Sequence, residues 1–278
     1  MTVDQLKRGV GTALSFSVFG LGGLLITLLS YPMLLIPGIE RRHHYGRKLI
    51  QLAFRGFIGV MRCCGVLDYR IDNQELLNQR GHLIIANHPS LIDVIFLVAN
   101  VPNADCVVNG HLARNIFTRG PIRVAGFITN TDPQQVLEAA RSSLARGNSL
   151  VVFPEGTRTV PGRPLRFRRG AANIALHTRP PVTPVLISCS PTTLTKGEPW
   201  YHIPRKQVFM HFKVLPTLHD HLTDEWPCNR HGAKGLTHWL NDYFIREMEQ
   251  FNHERHPEAY PGNQADDHRR AGTGRYSA

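Results

Sequence analysis

The sequence predicts an α/β fold, because short β-branched apolar runs alternate with helical patterns after residue 65. The runs with strand character are 83–86, 106–108, 150–153, 185–188 and 207–214. Longer stretches with apolar residues at helical spacing separate them. A chain of 278 residues can bury one large core or two modest ones, and we expect one core.

The clearest helix of this body is predicted over about 133–146. Thr131 or Asp132 can cap its first turn, and Gln134 fits a capping box with Thr131. Gly147 provides the stop signal, since glycine tolerates the left-handed conformation that ends many helices.

Three regions are predicted along the chain. Residues 1–65 form an N-terminal membrane-anchoring helical region, and residues 66–252 form the main domain. A last helix over 234–250 carries apolar residues at helical spacing. The His-, Arg- and Gly-rich stretch 253–278 that follows predicts a flexible tail.

The amino-acid composition limits the kinds of molecule that the protein is expected to bind. The chain has 32 Lys and Arg against 21 Asp and Glu, a net charge of +11, and 42% hydrophobic residues, which excludes a disordered chain. Such an excess of positive charge favours an anionic partner: nucleic acid, anionic lipid, a phosphorylated substrate or an acidic carrier protein. RNA-binding aromatic signatures are absent, so we expect no nucleic acid. Five cysteines without CxxC or Cys/His ligand spacing predict no metal site.

The N-terminal stretch 9–39 has no charged side chain and is rich in Leu and Phe, which predicts a membrane segment. Pro32 and Pro37 favour a kinked or re-entrant path near its end, so spanning and dipping both stay open. More basic residues follow the stretch than precede it. Those that follow are Arg41, Arg42, Arg47 and Lys48. The positive-inside rule then places the following domain in the cytoplasm, at the inner membrane of the cell.

A basic stripe follows the apolar stretch. Lys48, Arg55 and Arg62 recur every seven residues on an otherwise apolar helical pattern. Such a helix suits a bilayer surface, and its neighbourhood favours that interpretation over an ordinary domain helix with solvated arginines.

Two polar loops follow predicted strands, at the strand ends where open α/β sheets bind ligands. The first loop, 87–93, contains His88 and, five residues later, Asp93. A turn at His88, with Pro89 opening a helix that carries Asp93, would let the carboxylate accept from Nδ1 and leave Nε2 facing a substrate hydroxyl. This is the arrangement of a general base and its orienting group, although a simple capping turn with a solvated His gives the same pattern.

The second loop, 154–159, combines bare backbone, a hydroxyl and a guanidinium at a strand end. Glu155, Gly156, Thr157 and Arg158 supply these groups, which suit a phosphate. Further arginines follow at positions 163, 166, 168 and 169. A solvated basic loop would explain each feature alone, and the two loops together favour a site.

These residues resemble the lysophospholipid acyltransferase family, whose blocks are NHxxxxD and FPEGTR followed by Ser or Thr. Here they read Asn87 to Asp93 and Phe153 to Thr159, and 181–186 looks like the fourth block, VPxxPV. The resemblance covers roughly residues 66–215. It implies a glycerolipid acyltransferase fold, a mixed sheet flanked by helices, behind a membrane-bound helical segment.

The resemblance also implies roles. His88 would be the catalytic base with Asp93 in support, while Asn87, Glu155, Gly156, Thr157 and Arg158 would bind the acceptor. The second block departs from the family, because it ends in Asn130 instead of an arginine that helps hold the acceptor phosphate. Asn130 can donate a hydrogen bond but cannot neutralise a phosphate.

The implied function is acyl transfer from acyl-CoA or acyl carrier protein to the hydroxyl of a lysophospholipid such as 1-acyl-glycerol-3-phosphate. No cofactor is expected beyond the acyl donor, and the oligomeric state stays open. The departure at Asn130 also admits a non-glycerophosphate acceptor, such as a lyso-ornithine lipid or a glycolipid. A hydrolase that uses water as acceptor, or a nonenzymatic membrane-surface scaffold, is also compatible with these residues.

Overall fold

The computed structural model describes residues 2–116, 118–218 and 232–255. Its helices are α1 (Val3–Met33), α2 (Ile39–Cys63), α3 (Asp93–Asn100), α4 (Gly110–Arg114), α5 (Arg119–Ala125), α6 (Pro133–Ala145), α7 (Arg169–Thr178) and α8 (Gly232–Arg255). Its strands are β1 (Leu67–Asp72), β2 (Leu83–Ala86), β3 (Asp105–Val108), β4 (Ile128–Thr129), β5 (Leu150–Val152), β6 (Val182–Ser190) and β7 (Val208–Val214). A short 3₁₀ helix spans Gln74–Asn78.

The strands of the described residues form one mixed sheet in the order β1-β7-β6-β2-β5-β3-β4. Neighbours are parallel except β6 and β7, which run antiparallel. The α/β prediction and the five predicted strands are confirmed. Two strands were missed: β1 carries a charged residue at every second position, and β4 has only two residues, so neither shows a continuous apolar run.

Helices cover both faces of the sheet. Successive side chains of a strand point to opposite faces, so Ile84 packs with α2 and α3, while Ile85 packs with α6, α7 and α8. The first cluster includes Phe57 and Phe96, and the second includes Phe244. Because both faces are covered, the central strands are fully apolar rather than alternating.

The ends of α6 and α8 differ slightly from the sequence predictions. Asp132, not Thr131, caps α6, since its carboxylate accepts the N–H of Gln134 at 2.9 Å; the predicted capping box does not form. The last helix is longer than predicted and extends to Arg255, so residues 253–255 of the predicted tail are helical. Residues 256–278 lie outside the described residues.

α1 is the one described helix with the length and apolar character of a membrane segment, with a mean hydropathy of 1.9 over its most apolar window. Its exposed side chains are mostly large and apolar, including Leu21, Leu25 and Leu28. The residues that it buries are small or polar, among them Gly11 and Ser15. α1 therefore presents an apolar surface outward and packs on the domain through its small residues.

α2 belongs to the core of the domain. Its Ile50, Phe57 and Met61 are buried against the sheet. Two members of its basic stripe bind protein groups: Arg55 donates to the carbonyl of Ala99 at 2.7 Å, and Arg62 pairs with Asp68. α2 is therefore a domain helix, two of whose stripe arginines bind protein groups, and its place at a bilayer surface stays a prediction.

Candidate active site

The two polar loops lie side by side because the strands that precede them are neighbours. β2 pairs in parallel with β5, with Ile85 opposite Val152. Parallel strands end at the same edge of the sheet. The loops are joined directly, since the N–H of Thr159 donates to the carbonyl of His88 at 2.7 Å.

His88 and Asp93 form a hydrogen-bonded pair. Nδ1 of His88 lies 3.0 Å from Oδ2 of Asp93; the imidazole is 15% exposed and the carboxylate is fully buried. An ionised carboxylate only accepts, so Nδ1 carries the proton and Nε2 keeps its lone pair. The ring of Phe153 stacks on the imidazole at 4.2 Å, which fixes the plane of the ring. The hydrogen bond between His88 and Asp93 is the contact that the sequence predicts.

The turn between these two residues differs from the prediction. α3 begins at Asp93 and not at Pro89. The intervening backbone binds another segment instead of forming a helical turn: Leu91 N–H donates to the carbonyl of Leu194, and Ser90 Oγ donates to that of Thr193. Since Ser90 N–H also donates to Asp93 Oδ2 at 2.7 Å, the carboxylate is held from two directions.

The environment of Asp93 disfavours its charge. Burial raises the pKa of Asp93 to about 6, although the hydrogen bonds from His88 and Ser90 oppose this rise. Its second oxygen, Oδ1, is buried and has no hydrogen-bond partner among the described residues. A carboxylate with such a pKa is mostly ionised at neutral pH and can stabilise a protonated His88.

Glu155 connects the second loop to the first. One carboxylate oxygen, Oε1, accepts the backbone N–H of His88 at 2.9 Å and the hydroxyl of Thr159 at 2.8 Å. The side chain is only 7% exposed, and burial raises its pKa. Its contacts make Glu155 a positioning residue for His88, and a direct contact with the acceptor stays a prediction.

Gly156 occupies a left-handed conformation with φ of 66°, where a side chain would be strained. A Cβ there would also lie 3.1 Å from Cδ of Arg168. Glycine thus lets the guanidinium of Arg168 approach the loop closely. Thr157 next to it is half-buried.

Arg158 holds a segment that sequence reasoning missed. Its Nη1 donates to the carbonyls of Leu194 at 2.8 Å and Thr195 at 3.0 Å. Leu194 itself adopts a positive φ of 53°. The same segment binds the turn before Asp93, so Arg158 supports the His88 loop through this segment. The positive φ of Leu194 has no signature in the sequence.

The remaining predicted residues lie in different surroundings. Asn87 is 3% exposed, and its amide exchanges two hydrogen bonds of 2.8 Å with the backbone of Ile187 on β6. These contacts fix β2 to β6 and do not support the predicted role in substrate binding. Asn130 is exposed at the end of β4, where its Oδ1 accepts the N–H of Gly110. β4 is three strands from β2, a lateral distance of about 14 Å.

Within the described ranges, no group of three or more His, Cys, Asp or Glu side chains is placed to hold a metal ion. The loops themselves offer an oriented imidazole next to a buried carboxylate, together with guanidinium groups.

Comparisons with known proteins find acyltransferases that are similar to this chain. A family model described as Acyltransferase matches residues 68–188. A 1-acyl-sn-glycerol-3-phosphate acyltransferase from Cocos nucifera is 30% identical over 42% of this chain, and one from Limnanthes douglasii is 26% identical over 64%. The chain spans 40% and 63% of the length of these two relatives.

A solved structure has the same fold. The 1-acyl-sn-glycerophosphate (LPA) acyltransferase PlsC from Thermotoga maritima superposes with a TM-score of 0.66 at 19% identity, over 89% of this chain and 97% of that chain. The matched sheet confirms the predicted mixed α/β architecture flanked by helices. Residues 68–188, which carry both loops, thus match the Acyltransferase family model, and the two relatives similar to this chain are named 1-acyl-sn-glycerol-3-phosphate acyltransferases.

Proposed function

We propose that this chain is a membrane-bound O-acyltransferase that moves a fatty acyl group from acyl-CoA or acyl carrier protein to the free hydroxyl of 1-acyl-glycerol-3-phosphate. The observation that carries the proposal is the 3.0 Å contact between Nδ1 of His88 and the buried carboxylate of Asp93. The names of the relatives support the class of acceptor.

The pair suits direct transfer. Nε2 of His88 removes the proton from the acceptor hydroxyl, and the resulting oxygen nucleophile attacks the thioester carbonyl. The tetrahedral intermediate then expels the thiolate, which takes the proton from the imidazolium. Asp93 stabilises the imidazolium and keeps the ring oriented between the two proton transfers. This path requires no covalent enzyme intermediate.

Positive charge beside the base supports a phosphate-bearing acceptor or donor. Arg158 belongs to the loop that contains Glu155, and the side chain of Arg168 lies against Gly156 of that loop. Exposed Arg163, Arg166 and Arg169 follow this loop in the chain and add to its positive charge. Guanidinium groups suit phosphate because they offer parallel donors together with charge.

A second acceptor class is favoured by Asn130. Its side chain is neutral, exposed and bonded to the backbone of Gly110. A phosphate near this residue gains no charge pairing from it. A lysolipid without a glycerophosphate group, such as a lyso-ornithine lipid, is therefore the second candidate acceptor.

The membrane proposal rests on α1, whose two ends both contact the domain. Near the N-terminus, Arg8 donates to the carbonyl of Arg205 at 2.5 Å, and Gln5 donates to that of Ile203. Near the C-terminus, Ser30 packs against Gly120 of α5. A helix that crosses a bilayer separates its ends by about 30 Å of hydrocarbon, so these contacts favour a helix that enters one leaflet.

The proposal is tested with the purified full chain in detergent. Acyl-CoA and acyl carrier protein donors are offered against lysophosphatidate, other lysophospholipids and lyso-ornithine lipid, and products are identified by mass. We expect His88→Ala to lower turnover at least about 100-fold. The matched control is His177→Ala, an exposed histidine at the end of α7, which should keep full turnover.

Three outcomes contradict the proposal. Free fatty acid formed equally without any lipid acceptor indicates a hydrolase. Full acylation by the His88→Ala protein removes the base from the mechanism. Lipid binding without acylation by any donor supports a scaffold.

A further inference from the structure

A polar cavity lies at the edge of the sheet opposite to the candidate active site. It has a volume of about 170 Å³, is partly open to solvent, and is lined by the start of α2 and by the turns before β3 and β5. Asn103 and Asn148 line it and precede these two strands, whereas His88 and Glu155 follow their strands. The cavity is therefore separate from the proposed catalytic groups.

Two guanidinium groups line this cavity. Arg47 is buried, with Nη2 donating to Asp105 at 2.7 Å and Nε donating to the carbonyl of Ala125 at 2.8 Å. Those bonds hold the guanidinium rigidly and leave Nη1 for a further acceptor. Arg146 is exposed and lines the same space.

Arginines outnumber acidic groups among the charges that act on His43 at the wall of the cavity. Burial, together with Arg47, Arg42 and Arg146, lowers the pKa of His43 to about 4, and the opposing effect of Glu40 is the smallest. Burial disfavours a charge of either sign, whereas the three arginines favour an anion over a cation; Glu40, which also lines the cavity, opposes them. His44 lines the cavity on the next position of α2.

Hydrogen-bonding groups complete the lining. Asn103 Nδ2 donates to Asn148 Oδ1, which holds both amides at the wall. Asn103 Oδ1 is buried and lacks a partner among the described residues. An orphan acceptor of this kind suits the hydroxyl of a protonated phosphate.

We propose that this cavity is an anion-binding site that takes a phosphate group, supplied by a membrane lipid headgroup or by free phosphate. Its volume is several times the roughly 30 Å³ that one water molecule occupies in the liquid, so a group larger than water fits there. The ring of His43 rests against Gly126, whose φ is 67°, so a bound anion lies beside the turn that leads into β4.

His43 is a local reporter for this site. The full chain is purified in detergent with isotope-labelled histidine. The NMR signal of His43 is assigned as the one that disappears in the His43→Gln variant. Saturating inorganic phosphate is expected to raise the pKa of His43 by about one unit or more, which corresponds to at least tenfold tighter phosphate binding by the protonated form. Phosphate at the His88 loops leaves this signal unchanged, so the proposed catalytic function can fail without affecting the result.

Arg146→Gln tests the charge, with Arg141→Gln as the matched control because both residues are exposed on or next to α6. We expect the shift to disappear in the Arg146 variant and to persist in the Arg141 variant. An unchanged His43 signal in wild-type protein, or an equal shift in both variants, overturns the site.

Nanodiscs separate the two sources. A raised pKa of His43 in phosphatidylglycerol nanodiscs, and not in phosphatidylcholine nanodiscs, without added phosphate assigns the anion to a lipid headgroup. A shift that requires added phosphate in both membranes assigns it to free phosphate. No shift under any of these conditions overturns the proposal.

Discussion

The carboxylate of Glu155 accepts the backbone N–H of His88 at 2.9 Å, although 67 positions separate the two residues in the sequence. The bond joins the loop after β5 to the loop after β2, and the N–H of Thr159 returns a second bond to the carbonyl of His88. Both backbone groups of His88 are thus held by the loop 154–159. The loop 154–159 therefore positions the imidazole through the backbone of His88, while the side-chain hydrogen bond of His88 goes to Asp93.

Replacing Glu155 is expected to displace His88. Glu155→Ala leaves the buried N–H of His88 and the hydroxyl of Thr159 without their acceptor, which costs about 1–3 kcal/mol of unfolding free energy. Turnover should fall at least about tenfold. Glu155→Gln keeps an acceptor oxygen and should lose less of both. Denaturant unfolding and turnover measure the two effects, with exposed Glu138→Ala as control.

If Glu155→Ala and Glu155→Gln lose turnover equally while both stay as stable as wild type, the carboxylate contacts substrate instead of positioning His88. An unchanged turnover in both variants removes Glu155 from the site.

The raised pKa of Asp93 predicts two pH effects. Activity should fall as the pH drops below about 6, because a protonated Asp93 no longer stabilises the imidazolium. The stability effect has the opposite direction. The pKa of Asp93 in the folded state, about 6, lies above its unfolded value of about 3.9, so the folded state binds more protons between these pH values. The free energy of unfolding therefore decreases as the pH rises from about 4 to about 6, because the buried carboxyl becomes charged.

Asp93→Asn separates these effects because it cannot ionise. Its turnover should be at least about tenfold lower than wild type at every pH. Its unfolding free energy, measured in denaturant, should improve relative to wild type between about pH 4.5 and about pH 6 and then stay constant. A stability difference independent of pH would show that Asp93 titrates normally, and unchanged turnover would refute its orienting role.

Arg158 is expected to affect acceptor binding through the 194–195 segment as well as through its charge. Arg158→Ala removes two hydrogen bonds to the carbonyls of Leu194 and Thr195. We expect KM for the acceptor to rise at least about tenfold and stability to fall by about 1–2 kcal/mol. Arg163→Ala, an exposed arginine of the same loop, is the control. Lower stability with an unchanged KM would make Arg158 purely structural.

The buried ion pair between Arg47 and Asp105 should dominate the attachment of α2. Both side chains are at most 3% exposed, and Ser143 also donates to the carboxylate. Asp105→Ala leaves a buried guanidinium uncompensated, and such losses cost about 3–5 kcal/mol. The control is Asp68→Ala, which breaks the half-exposed pair with Arg62 and should cost below about 1 kcal/mol.

The double variant Arg47→Met with Asp105→Ala should recover much of the loss, because it removes the unpaired charge. If the double variant is no more stable than Asp105→Ala alone, the buried charge is not the cause of the destabilisation.

The strands and the His88–Asp93 contact could be predicted from the sequence because both depend on short segments. The apolar run 83–86 and the five-residue spacing of the pair are visible locally. Edge strand β1 was missed because alternating charges conceal it, and the start of α3 was misplaced because Ser90 and Leu91 bind a segment about 100 residues away.

Arg47 shows what local reasoning cannot supply. In the sequence it is one of four basic residues that follow the apolar stretch and count toward membrane orientation. In the structure it lies in the core, paired with Asp105 58 positions away. Burial of a charge depends on a tertiary partner, and one sequence does not reveal which aspartate that is.

The path of α1 can be tested from its two ends. With 31 residues the helix is about 46 Å long, long enough to span a bilayer. Its contacts with Arg205 and Gly120 at opposite ends instead require both ends to lie on the side of the domain. Asp4→Cys and Arg41→Cys, made separately in a Cys63→Ser, Cys64→Ser, Cys228→Ser background and reconstituted in sealed vesicles, should react equally with a membrane-impermeant maleimide. Labelling of one end only, with the other reacting after detergent is added, would mean that α1 crosses the membrane and that one set of contacts does not form there.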